Sequence, residues 1–444
     1  MHDDIKDAVD QDFARTRVEL ESLVRIPSVS APGYDASHVR TSAEFVADLL
    51  RASGLDNVEL LELEGAHPAV YGEKMGPEGS PTILLYAHHD VQPPGPPEQW
   101  DTDPFEVVER DGRLYGRGAA DDKAGVVLHL ASIRAFGDDL PVSVKVFIEG
   151  EEEIGSVHLA DFITAYAEML ASDAIVIGDS GNWDVGLPTL TTSLRGLVDC
   201  YVTVRTLDTA VHSGSFGGVF PEAITALSRM IATLHNPDGT VAIDGLVTDH
   251  ADDFDLTEDT LRTQAGALPG VELIGKGTLT SRLWRQPAVS VLAIDAVPMS
   301  EAINQLVPEA TAKISMRIAP GQDAEAAMVA LISHLETAAP WGVDVSVRRG
   351  SAGEAFELDT SGDAYDAYRA GMREGYGAEP VEVGVGGSIP FVAAFAEQYP
   401  DAAVLMIGVA DPTSHYHGPN ENVSLADLRS AIVAQAISFR ELAD

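Results

Sequence analysis

Apolar and polar positions fall into blocks along this chain. Ile5, Val9 and Phe13 recur at helical spacing, and Phe45 with Leu49 marks a second amphipathic helix. Three near-continuous apolar runs follow, "PTILLYAH", "VSVKVFIEG" and "DAIVIGD". Strands of a sheet covered on both faces have this pattern. Between the first two runs, "DDKAGVVLHLASIRAF" predicts a helix with Val126, Leu130 and Ile133 on one face and acids at its start. Strand and helix alternate, so the expected fold class is α/β, a mostly parallel sheet with helices on both faces.

After Thr192 the pattern changes. "GLVDCYVTV" predicts a strand, "PEAITALSRMIATL" a helix, "AVSVLAIDA" and "ATAKISMRIAP" two strands, "DAEAAMVALISHLETAA" a helix and "VDVSVRRG" a last strand. This βαββαβ order, with a long acidic insertion after its first helix, describes a two-layer α+β unit of its own. From residue 352 the earlier pattern returns in "VEVGVGGSIP", "DAAVLMIGV" and a helix from Leu425. The expected organisation is one domain from residues 1–192 and 352–444, with residues 193–351 inserted into it.

A length of 444 residues supports this division, because single cores stop growing well below that size. The chain carries 70 acidic and 28 basic residues, a net charge of -42. Such a surface repels phosphate backbones and anionic lipid heads, which argues against nucleic-acid and membrane partners. Cys200 is the only cysteine, so no intrachain disulfide can form, and its strand context predicts a buried thiol. The N-terminal "MHDDIKDAVDQDF" is acidic and helical in pattern, unlike a signal peptide, and no apolar stretch approaches the roughly 20 residues of a membrane span. The expectation is a cytoplasmic protein.

Ligands of open α/β sheets sit at the carboxyl ends of the strands. Polar clusters occupy five such ends or loops: His88 and Asp90, Asp121 and Asp122, Glu151 to Glu153, Asp179, and His417. Each has a plain alternative. A strand-end histidine can be a hydrogen-bonded surface residue, the Asp pair a helix N-cap, the glutamates a solvated run, and Asp179 a turn residue before Gly181. Together they are harder to dismiss, because carboxylates converging on one sheet edge repel unless cations neutralise them. A His and carboxylate set without Cys suits zinc, manganese or cobalt. A two-metal hydrolase uses such a set, with one further carboxylate outside the metals to move protons. Adjacent glutamates can divide those two tasks.

The motifs "YAHHDVQP", "GRGAADDKAG", "EGEEEIGS", "IGDSGNW", "HSGSFGG", "SMRIAPGQ", "GGSIP" and "HGPNE" run in order over nearly the whole chain. In this the sequence resembles the M20 family of metallopeptidases, in its carnosinase-like cytosolic dipeptidase branch. The resemblance implies hydrolysis of dipeptides or short peptides by a di-metal-activated water, with two divalent ions per subunit, zinc foremost and manganese or cobalt as alternatives. It implies His88 and Asp179 as ligands of one metal, Glu153 and His417 of the other, and Asp121 bridging both. Asp90 would orient His88, and Glu152 would be the general base. Glu151 competes with Glu152, and His415 with His417; the spacing to Gly155-Ser156 and to Asn420-Glu421 favours Glu152 and His417. Strand alternation turns His89 away from the His88/Asp90 face.

The resemblance further implies that the insert is a lid and dimerisation domain. His212 would then stabilise the oxyanion in the other subunit of a homodimer. Arg317, Gly387 and Ser388 would hold the substrate carboxylate, and the Asp121–Asp122 peptide would be cis. Charged residues often precede the glycines of that last loop in the family, but "VGVGGS" has none. The nearest rival activity is that of an aminoacylase or deacylase acting on N-acyl amino acids. A serine nucleophile in "HSGSFGG" lacks the first glycine of its pattern. A non-catalytic acidic cation binder would leave the adjacent glutamates without a purpose.

Overall fold

The computed structural model describes residues 2–254, 256–386 and 390–443. The chain divides into two units. One comprises Met1–Thr192, Leu358–Val383 and Pro390–Asp444, the other Ser193–Glu357 and Gly384–Ile389. The return to the first unit therefore falls at Leu358 rather than at residue 352, because the strand Asp344–Gly353 completes the sheet of the second.

The first unit is α/β. Its six-stranded sheet has the order Asp56–Leu61, Ala69–Lys74, Ser143–Glu149, Thr82–His88, Ala174–Ile177, Ala403–Met406. The last four strands are mutually parallel, and the first two form an antiparallel edge. Along Thr82–His88 every residue after Thr82 is buried, as its unbroken apolar run requires of a strand with both faces covered. The helix Lys123–Arg134 packs on this strand on one side and on the helices Asp3–Val24 and Leu425–Ala443 on the other. It is consequently buried all round, from Lys123 to Ile133, rather than on the single Val126/Leu130/Ile133 face that its spacing predicts. Its start is set by Asp122, whose carboxylate accepts from Gly125 N–H at 3.1 Å as N-cap.

A small antiparallel sheet places the site. Asn422–Ser424 pairs with Arg113–Tyr115, which pairs with Val108–Arg110. This pairing lays the segment before Asn422 beside the segment that runs from Tyr115 to Asp121.

The second unit is α+β. Its four-stranded antiparallel sheet has the order Ala288–Asp295, Glu309–Ile318, Gly196–Arg205, Asp344–Gly353. Helices Ala223–Ala232 and Ala324–Thr337 pack on it. Glu309–Ile318 is buried at every second residue, the period expected of a strand with one face on helices. Cys200 is buried in this core. The edge strand Ala288–Asp295 differs from its neighbours, with Val291, Leu292 and Ile294 exposed despite their apolar run. Among the described residues, no helix is long and apolar enough to cross a membrane.

Candidate metal centre

The carboxyl ends of adjacent parallel strands carry the chemistry of the first unit. His88 ends its strand directly opposite Glu149. Glu151, Glu152 and Glu153 follow Ser143–Glu149, and Asp179 lies just past Ala174–Ile177. Asp121 stands before the helix that Asp122 caps. His417 comes from the loop before Asn422, with φ 61°.

Asp121 lies between the two histidines. Its Oδ1 is 3.0 Å from Nε2 of His88, and its Oδ2 is 3.1 Å from Nε2 of His417. Nε2 of His417 is also 3.1 Å from Oε2 of Glu153, and Nε2 of His88 is 3.8 Å from Oδ2 of Asp179. Donor atoms of His88, Asp121 and Glu153 lie within 4.8 Å of one another, and so do those of His88, Glu152 and Asp179. The structure therefore gathers His88, Asp121, Glu152, Glu153, Asp179 and His417 into one cluster. The peptide bond between Asp121 and Asp122 is cis.

The electrostatics mark an excess of negative charge. Burial, and then repulsion from its acidic neighbours, raises the Glu152 carboxyl well above the ordinary range, against the pull of His88. Burial and the nearby Asp121 raise Glu153 and Asp179 in the same way. Burial would raise Asp121 too, but hydrogen bonds with His417 and His88 hold it low. Four carboxylates thus share two imidazoles, a balance that divalent cations would correct. One carboxylate offering an oxygen to each of two ligand groups, with imidazole and carboxylate donors and no thiolate, fits a pair of metal ions.

The cluster is braced from behind. Nδ1 of His88 faces Asp90, 3.1 Å from its backbone oxygen and 3.3 Å from Oδ1, so Nε2 is turned to the cluster. The Asp90 carboxylate also accepts from Ser30 Oγ at 2.6 Å and from the N–H groups of Glu152 at 3.2 Å and Glu153 at 3.1 Å. One buried aspartate thereby fixes the imidazole and the paired glutamates together. Gln92 donates from Nε2 to Glu153 Oε2 at 2.7 Å and from its backbone N–H to Oε1 at 3.1 Å. Buried Glu421 accepts from the N–H groups of Gly118, Ala120 and Asp121 and from Arg117 Nη1 at 2.6 Å. It shapes the turn that presents Asp121.

The competing residues are engaged elsewhere. The Glu151 carboxylate accepts from the His67 N–H at 2.8 Å and pairs with His158 Nδ1 at 2.8 Å. His89 Nε2 faces the Pro68 carbonyl at 3.0 Å. Among the described residues, no hydrogen bond or ion pair joins the His415 side chain to the cluster. His212 and Arg317 belong to the second unit. His212 is exposed and its Nδ1 accepts from Gly214 N–H at 3.0 Å. Gly387 and Ser388 lie outside the described residues. Ser30, Gln92, Arg117 and Glu421 were not singled out from sequence. Gln92, Arg117 and Glu421 lie inside quoted motifs, whereas nothing near Ser30 points to Asp90.

Imidazole and carboxylate donors gathered at the carboxyl edge of a parallel sheet are the kind of set with which metal-dependent hydrolases hold their ions. The profile of peptidase family M20/M25/M40 matches residues 84–437, and the chain belongs to that family. It is 37% identical over 429 residues to the cysteinylglycine-S-conjugate dipeptidase of Corynebacterium striatum, covering 94% of this chain and 93% of the relative. It is 29% identical over 469 residues to the Cys-Gly metallodipeptidase dug1 of Schizosaccharomyces pombe, covering 99% and 98%. The fold is similar to the crystal structure of human carnosine dipeptidase 1, with a TM-score of 0.81 at 24% identity over 99% of this chain and 98% of that one.

Proposed function

We propose that this protein is a metallodipeptidase that hydrolyses the peptide bond of dipeptides or short peptides. The observation that carries the reading is Asp121 held between His88 and His417, with Glu152 in the same cluster. His88, Asp179 and Asp121 would hold one divalent ion, and His417, Glu153 and Asp121 the other. The donor set favours zinc, with manganese or cobalt also compatible. Bound there, the ions would supply an acidified water and a polarised carbonyl.

The chain's own groups do the rest. Glu152 takes the proton of the attacking water on its carboxylate and returns it to the leaving amine nitrogen. Asp90 keeps His88 and the backbone of Glu152 and Glu153 in register. Arg317, on a strand of the second unit, is half-buried, and its side chain has no hydrogen-bond or ion-pair partner among the described residues. It suits a bidentate grip on the free carboxylate of the substrate. Gly387 and Ser388 would add backbone N–H donors.

A homodimer through the second unit also belongs to this reading. In its support, Ala288–Asp295 is an edge strand whose Val291, Leu292 and Ile294 are 39%, 57% and 51% exposed. Isolated proteins rarely leave such an apolar edge open. His212 would serve the other subunit's oxyanion.

The test is a panel of free dipeptides and N-acetyl amino acids, assayed on metal-free protein reloaded with zinc, manganese or cobalt. Turnover of dipeptides above N-acetyl amino acids is expected. The reverse order would make the enzyme a deacylase.

A further inference from the structure

Among the described residues, Arg195 is a buried cation without an anion. It is 9% exposed, and each of its hydrogen-bond acceptors is a backbone carbonyl. Nε donates to Gly386 O, and Nη1 donates to Arg282 O and Gln286 O, each at 3.3 Å. A guanidinium has five N–H groups. Those on Nε and Nη1 are accounted for, and the pair on Nη2 has no acceptor among the described residues. Buried charges are ordinarily paired, and this chain carries 70 carboxylate side chains. Among the described residues none of them reaches Arg195, and that is the anomaly.

Its surroundings place Arg195 next to Arg317 in the sheet. Arg195 directly precedes the strand Gly196–Arg205, whose Leu197 pairs with Arg317. Arg282 and Gln286 lie on the segment leading to Ala288, which pairs with Arg317 from the other side. Arg195 thus stands at the start of one strand that flanks Arg317 and is bonded to the segment that leads into the other. Burial and the charge of Arg317 push the Arg195 guanidinium down to about 10, so the two cations feel each other. Nη2 lies beside Gly386, where a Cβ would approach it to 2.9 Å. A side chain at Gly386 would crowd that edge. The run "VGVGGS" around Gly386 has no charge of its own, and Arg195 donates to the Gly386 carbonyl within it.

We propose that Arg195 is a specificity-determining residue for the free carboxylate of the substrate: its Nη2 edge supplies a second cation beside Arg317, while its Nε–H is held by the Gly386 carbonyl. The proposal rests on the dipeptidase reading and on Arg317 as the carboxylate clamp. It adds that two cations, not one, set the preference for an unblocked C-terminus. Charge-assisted hydrogen bonds of this kind contribute on the order of 10- to 100-fold each in binding.

The test measures binding without turnover. Metal-loaded Glu152→Gln protein is titrated by calorimetry with glycylglycine and with glycylglycinamide. The same titrations are run on Glu152→Gln carrying Arg195→Gln or Arg195→Lys, with thermal melts as a check on folding. The parent is expected to favour glycylglycine. Arg195→Gln should weaken glycylglycine about 10- to 100-fold and leave glycylglycinamide within a few-fold, and Arg195→Lys should restore part of the preference through its charge. If Arg195→Gln keeps the parent's preference, or weakens both ligands equally, Arg195 is structural and the proposal falls alone. If the parent itself binds neither ligand, the dipeptidase reading falls and takes the proposal with it.

Discussion

Oδ2 of Asp121 lies 3.1 Å from Nε2 of His417, while its other oxygen faces His88. The contact joins two distant parts of the chain, and two supports make it possible. Pairing of Asn422–Ser424 with Arg113–Tyr115 brings the loops together, and Glu421 fastens the backbone of Gly118, Ala120 and Asp121. Asp121→Asn keeps the shape but cannot give an anionic oxygen to both sides. We expect it to lose both metals, as measured by elemental analysis after gel filtration. Retention of two ions per chain would show that Asp121 does not bridge.

Glu149, directly opposite His88 in the sheet, yields a pH prediction. It is 3% exposed, accepts from Tyr86 OH at 2.8 Å, and is pushed by burial from 4.5 to about 7. Between these values the folded chain binds more protons than the unfolded one, so this residue lowers stability as pH rises from 4.5 to 7. The cost is complete above 7 and amounts to about 3 kcal/mol at most. Glu149→Gln cannot ionise. It should therefore melt higher than the parent at pH 8 and close to it at pH 4.5. Parallel melting curves across that range would refute the linkage.

The insert offers a test of dimerisation that needs no structure of the dimer. If His212 serves the partner subunit, His212→Ala and Glu152→Ala chains, each weakly active, should complement when unfolded and refolded together. In a two-fold dimer the chain that keeps Glu152 receives an intact His212 from its partner. Random pairing makes half the dimers mixed, each with one good site. Activity should thus recover to about a quarter of the parent's, by the symmetry of the pair. No recovery, with mixed dimers shown to form, would mean that His212 does not act in trans.

Much of the cluster was legible because its members sit in short motifs at strand ends. A run such as "TILLYAHHD" reports both a buried strand and the polar groups that end it. The alternatives at Asp121/Asp122 were legible only as a pair, and the structure separates them: Asp122 caps the helix and Asp121 faces the histidines. What joins distant segments was not legible. Ser30 on Asp90 and Glu421 under Asp121 depend on tertiary approach, which no local period encodes. The helix Lys123–Arg134 shows the same limit. Its spacing marks one apolar face, yet layers on both sides bury the rest, Lys123 and His129 included. The strand Ala288–Asp295 errs the other way, since an apolar run reads as interior whether or not a neighbour covers it.

In the proposed reaction Glu152 moves the proton while its neighbour Glu153 holds metal. Glu152→Gln and Glu153→Gln therefore form the decisive pair, compared for bound metal and for dipeptide turnover in the same preparations. Glu152→Gln should retain two ions per chain and lose activity by roughly 10²- to 10⁴-fold, the usual scale for a general base. Glu153→Gln should lose an ion. If Glu152→Gln loses metal instead, or keeps both metal and activity, Glu152 is not the base and the account is wrong.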